Sequence, residues 1–249
     1  WAWSSPTKST FVSTRAARLP TEAGSTGRHH RRGACALSIP ALNLLSDAAF
    51  APALTLMGAA VTPIEIVAFV LSLWMVACNM RVNPLGWPLA ILASLLYCAL
   101  FWRSKLYGDA SLQIFFAVLG AWGWWQWLRG TTSDGQLLPV RSLPARHRWL
   151  ALVAVLLVWP ALGWFLQHHT DTDVPYWDAL PTAASVLGQF LLGRKFIENW
   201  PTWIAVNVVS VGLYAYKGLW LTVVLYAIFV ALSFAGWRSW ARLMRAEAA

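Results

Sequence analysis

The stretch Glu198–Lys217, ENWPTWIAVNVVSVGLYAYK, decides how the chain is read. It is apolar enough to cross a membrane. Yet Asn199, Trp203, Asn207, Ser210, Tyr214 and Lys217 recur at intervals of four, four, three, four and three residues. At about 3.6 residues per turn, those intervals align the six side chains along one face of a helix. The opposite face, Ile204, Val208, Val211 and Ala215, suits lipid or a packed neighbour. Two carboxamides, a phenol and an indole held in register carry a desolvation cost that a purely apolar helix avoids. Asn and Ser do hydrogen-bond across helix interfaces, so interhelical adhesion accounts for any one of them alone. The row as a whole points to a polar substrate cavity.

Composition sets the surroundings of that helix. Hydrophobic residues make up 58% of the chain and charged residues 12%, with a mean hydropathy of +0.53. Soluble domains carry roughly 25% charged residues. At about 20 residues per span, a chain of 249 residues has room for seven or eight membrane helices. An all-α integral membrane protein follows, with the lipid bilayer as its surroundings. The net charge of +9 does not imply nucleic acid, because the basic residues sit in short segments between apolar runs, where they act as topology signals. Cys35, Cys78 and Cys98 have neither metal-ligand spacing nor a disulfide framework. No metal and no cofactor is expected.

Residues 1 to about 35 are polar and basic, and the first Met is Met57, so this segment is set aside from the fold. Residues 36–60, broken by Pro40, Asp47 and Pro52, read as an interfacial or partly inserted helix. Seven spans follow, near Pro63–Met80, Leu85–Trp102, Ala110–Leu128, Trp149–Leu166, Asp178–Leu192, the Asn199 helix, and Leu219–Trp237. Basic residues mark the loop after span three, the loop after span five and the tail, so these should be cytoplasmic. The loop HHTDTDVPYWD should be external. An odd number of spans conflicts with the basic first 35 residues unless 36–60 also crosses; seven is adopted and eight left open.

The chain also resembles itself. Trp87 and Ser94 match Trp203 and Ser210 at a separation of 116 residues. Leu106, Phe116, Gly123, Trp124, Trp127 and Arg129 match Leu219, Phe229, Gly236, Trp237, Trp240 and Arg242 at 113, which implies a three-residue deletion in the second copy. Each copy holds three helices and span four connects them, so the repeats are parallel (3+1+3), an arrangement found among transporters. The expected organisation is a basic segment with a possible interfacial helix (1–62), a first bundle (63–129), a loop, linker helix and acidic loop (130–176), a second bundle (177–242) and a tail (243–249). Gln113 aligns with Tyr226, each in the external half of its helix opposite Asn207, while Trp122 and Trp237 lie deeper. Carboxamides, hydroxyls and aromatic faces suit a flat ring bearing an amide and a sugar, and favour a cationic ring. A sugar, a nucleoside or an aromatic amine would each fit.

The sequence FIENWPTWIAVNVVSVGLYAYKGL, with LYGDASLQIFF, GWWQW and Trp177–Asp178, resembles the PnuC family of vitamin B3 transporters over roughly residues 63–242. The block from Arg194 to Asn207 is the most specific part. The resemblance implies a SWEET-like architecture in the inner (plasma) membrane and facilitated diffusion of nicotinamide riboside, trapped afterwards by cytosolic phosphorylation. It implies substrate contacts at Gln113, Asn199, Trp203, Asn207 and Tyr226, and more loosely at Tyr214 and Lys217. Trp122 and Trp237 complete the expected binding set, and a homo-oligomer is compatible with the pattern. Glu65, Asp178 and Glu198 lie at span ends and all five His lie outside the spans, so no titratable group sits in mid-membrane to couple a proton. A SWEET-like sugar or nucleoside carrier is the alternative. An enzyme is not expected, because HExxH and GxSxG motifs and an in-membrane Asp pair are all missing.

Overall fold

The computed structural model describes residues 54–56, 59–103, 107–131, 135–170, 172–218 and 220–247. Most of the segment expected as an interfacial helix lies outside the described residues. Its last part is not helical: β1 (Leu54–Leu56) pairs antiparallel with β2 (Ala59–Val61). Seven helices follow among the described residues: α1 (Pro63–Met80), α2 (Gly86–Arg103), α3 (Tyr107–Arg129), α4 (Ala145–His169), α5 (Pro175–Gly193), α6 (Asn199–Tyr216) and α7 (Trp220–Glu247).

Their ends follow from local chemistry. Thr62 caps α1 in a capping box: its backbone N–H donates to Glu65 Oε2 at 2.6 Å and its hydroxyl accepts from the Glu65 N–H. Pro63 supplies a preset φ at the first helical position. The charge of Glu65 is therefore spent on a helix start. Four helical segments are long and apolar enough to cross a membrane on length and composition: α1, α2, α4 and Thr222–Ala246 within α7. Polar side chains dilute the others, with Gln113 and Gln126 on α3, Gln189 on α5, and Asn199 and Asn207 on α6, all buried.

Consecutive helices pack on one another within α1–α2–α3 and within α5–α6–α7, and α4 packs on α5. The two sets meet where α3 touches α5 and α1 touches α7. Most of α4 is exposed, including Trp149, Leu157 and Trp164, as suits a lipid-facing helix.

The internal repeat is present, but in a different register. The helices start at Gly86 and Asn199, and at Tyr107 and Trp220, a constant separation of 113 residues. Val82 and Lys195, also 113 apart, are the two non-glycine residues described with positive φ, at 54° and 55°. Such residues cost about 1 kcal/mol or more each. A shared cost at the same turn marks a shared architecture. At Gly123 a Cβ would overlap the Trp87 ring, and at Gly236 it would overlap the Trp200 ring. Trp87 therefore corresponds to Trp200, not Trp203, and Ser94 to Asn207, not Ser210. The expected deletion does not exist. The misleading match arose because Trp200 and Trp203 lie one turn apart on one face, so either satisfies a residue-by-residue comparison.

The loop between α3 and α4 is strapped to the turn before α6. Arg141 N donates to Lys195 O at 3.1 Å, and Ile197 N to Arg141 O at 2.9 Å. The Glu198 carboxylate accepts from Ser142 Oγ and Leu143 N, each at 2.9 Å, and pairs with Arg148 at 2.9 Å. These contacts gather the basic segments at one end of the molecule. The acidic segment lies at the other, where Lys217 Nζ meets Asp178 Oδ1 at 3.1 Å.

Candidate functional site

A cavity of about 50 Å³ lies between α1, α5, α6 and α7. Asn199, Trp200, Trp203 and Asn207 of α6 form one wall. Met75, Val76 and Asn79 of α1 face them, with Gln189 and Leu192 of α5 and Phe229 and Ser233 of α7 completing the lining. No charged side chain is among these residues. Asn207 is buried and its Nδ2 donates to Ser233 Oγ at 3.4 Å, a long bond that a ligand could replace. Asn199 is fully buried at the start of α6; its Nδ2 donates to Phe196 O at 2.6 Å, leaving Oδ1 without a protein partner. Trp200 Nε1 and Asn79 Oδ1 are likewise buried and unpartnered. Buried polar atoms of this kind are costly unless something hydrogen-bonds to them.

Of the nine residues expected to bind substrate, the structure gathers three on this cavity: Asn199, Trp203 and Asn207. The other six lie elsewhere. Gln113 is buried on α3 with Oε1 unpartnered, but outside the lining. Tyr214 and Tyr226 are buried against each other, ring centroids 5.1 Å apart. Trp122 stacks on Phe190 at 5.5 Å and fills the space over Gly193, which makes it part of the α3–α5 contact. Lys217 is taken up by Asp178 and, at 4.0 Å, Asp173. It ends α6 about 27 Å along the axis from Asn199, at 1.5 Å per residue. Trp237 is exposed on α7, because there the buried face turns toward Gly236 and Trp240, which pack on Trp200. The polar row on α6 therefore divides, and its Asn199 half lines the cavity.

Sequence reasoning missed Asn79, Gln189, Trp200 and Ser233. A signal for Ser233 existed, since it lies seven residues, two helical turns, after Tyr226 on the same face. Gln189 was a lone amide in an apolar run. Asn79 had no pattern to reveal it, because its counterpart 113 residues on is Leu192.

Comparison with known proteins agrees with this geometry. The model of a family described as nicotinamide mononucleotide transporter matches residues 62–242, from the cap of α1 into α7. The chain is 28% identical over 169 residues to the nicotinamide riboside transporter PnuC of Escherichia coli, covering 58% of this chain and 71% of that protein. It is also 28% identical over 179 residues to the riboflavin/roseoflavin transporter RibM of Streptomyces davaonensis, covering 71% and 83% respectively. The crystal structure of a vitamin B3 transporter PnuC shares the fold, with a TM-score of 0.59 and 20% identity over 73% of this chain and 82% of that one. The chain belongs to the nicotinamide mononucleotide transporter family, the family of the PnuC membrane transporters, and so to a family of carriers rather than enzymes.

Proposed function

We propose that this protein carries nicotinamide riboside across the inner (plasma) membrane by facilitated diffusion, through rocking of two parallel three-helix bundles joined by α4. The observation that carries the reading is the cavity, in which carboxamides (Asn79, Gln189, Asn199, Asn207) and indoles (Trp200, Trp203) surround a space with no charged wall. Carboxamides pair with the substrate's amide and hydroxyls, and indole faces attract a cationic pyridinium ring. A phosphate would find no Arg or Lys there, which favours the riboside over the mononucleotide. The relatives' printed substrates, nicotinamide riboside and riboflavin, are both flat rings on polyhydroxylated chains.

Small-molecule pockets span roughly 300–1,000 Å³. The observed 50 Å³ is therefore a contracted state that must widen around a nucleoside. Such widening is what alternating access between bundles provides. Coupling to protons is not expected. Glu65 caps α1, Asp178 pairs with Lys217 and Glu198 pairs with Arg148, so none faces the cavity. Phosphorylation in the cytosol would then trap the product and keep the gradient inward.

Uptake of labelled nicotinamide riboside into liposomes holding the purified protein tests this reading. Internal and external concentrations should equalise, unaffected by pH or sodium gradients, with weak competition from the mononucleotide and from riboflavin. Concentrative uptake would remove the uncoupled mechanism, and stronger competition by riboflavin would transfer the substrate assignment to a flavin.

A further inference from the structure

The end of the molecule carrying the basic segments, cytoplasmic by charge, is closed by two equivalent hydrogen bonds across the bundle interface. Trp127 Nε1 on α3 donates to Leu192 O on α5 at 3.0 Å. Trp240 Nε1 on α7 donates to Asn79 O on α1 at 2.9 Å. Both donors and both acceptors are separated by 113 residues, so one contact is made twice about the repeat axis. Around it the ring centroids of Trp87 and Trp127 stand 5.6 Å apart edge to face, those of Trp200 and Trp240 5.7 Å, and those of Trp127 and Trp240 6.2 Å. Val140 of the strapped loop joins the same cluster. Ser239 Oγ adds a further bond to Met80 O at 3.0 Å.

We propose that Trp127 and Trp240 are paired gate residues: their indole–carbonyl bonds hold the cytoplasmic mouth shut, and breaking both is the inward-opening step. The inference rests on the transport reading above. It adds a route from binding to opening. Asn79 and Leu192, whose carbonyls accept the two bonds, both line the cavity. A ligand that widens the cavity between α1 and α5 must move the segments carrying the latch acceptors. A ligand shifts such an equilibrium only through its different contacts with the two states, and these two residues supply that difference. Packed interfaces of this kind switch between discrete arrangements rather than deforming smoothly.

Cys78, buried on α1 beside Asn79, is a native reporter of the gate. In a Cys35→Ser, Cys98→Ser background, labelling of Cys78 by a hydrophilic maleimide should be slow without ligand. Trp127→Phe with Trp240→Phe keeps both rings but removes both donors. Each lost bond should favour the open state on the order of fivefold, so the double variant should label at least tenfold faster, while Trp124→Phe on the exposed flank should label at the background rate. Background-rate labelling of the double variant would overturn the proposal. A second arm leaves the indoles intact: Met80→Cys with Ser239→Cys, in a chain with the native cysteines replaced by Ser, is oxidised in liposomes. Transport should stop on cross-linking and return on reduction; unchanged transport by the cross-linked protein would also overturn it. The labelling arm uses no substrate, so its outcome stands apart from whether nicotinamide riboside is the cargo.

Discussion

At the scale of single residues, the same chemical type serves different ends depending on its place along α6. Asn207 faces the cavity, with only a 3.4 Å bond to Ser233 to give up. Lys217 ends the same stripe held by Asp178. Lys217→Met should therefore leave the dissociation constant for nicotinamide riboside within about twofold of wild type, since removing an exposed-edge ion pair costs little; a tenfold loss would return Lys217 to the site. Gly123 and Gly236 are also set by place, each filled by a tryptophan ring where a Cβ would stand. Gly123→Ala and Gly236→Ala should each destabilise the protein by about 1–3 kcal/mol, as overpacking does, read as a lowered melting temperature in detergent. The periodicity of α6 announced the polar row. It could not say which half of the row met a neighbour bundle and which an acidic loop, because that depends on partners remote in sequence.

At the scale of elements, hydropathy placed the helices well where lipid sets their ends. The first span, Pro63–Met80, coincides with α1. The last was read as ending at Trp237, whereas α7 continues to Glu247. Hydropathy marks the part of a helix that lies in lipid, and Arg238, Arg242 and Arg245 end that part without breaking the helix. The hairpin Leu54–Leu56 with Ala59–Val61 was read as helical, because short apolar runs do not distinguish strand from helix by period. The strapped loop was read only as a charged connector. Its hold on the Glu198 carboxylate predicts that Glu198→Gln loosens residues 135–144, since bonds to a charged acceptor are the stronger ones. Limited trypsin digestion should cut at Arg141 several-fold faster in the variant, with cavity binding retained. Equal cutting rates would mean the backbone pairing of Arg141 with Lys195 and Ile197 suffices.

At the scale of the whole molecule, the repeat is the organising fact. The sequence showed it through Gly123, Trp127 and Arg129, and misplaced it at Trp87, where ring packing rather than residue identity defines equivalence. The two copies share the turn, the tryptophan cluster and the latch, then diverge inside the cavity. Val76, Gly86, Ser94 and Gly120 stand opposite Gln189, Asn199, Asn207 and Ser233. A near-symmetric frame thus carries an asymmetric polar lining, as a carrier of an asymmetric nucleoside requires. The claim on which the rest depends is that this lining binds the substrate. Calorimetric titration of the purified protein with nicotinamide riboside, alongside Asn207→Leu, tests it most directly. Leu keeps the helix and the approximate volume while removing the amide. The account predicts saturable binding by wild type, weakened at least about tenfold in the variant, the range for a lost buried hydrogen bond. Equal binding by both proteins would contradict it, making the Asn207 stripe an adhesive between helices rather than a site.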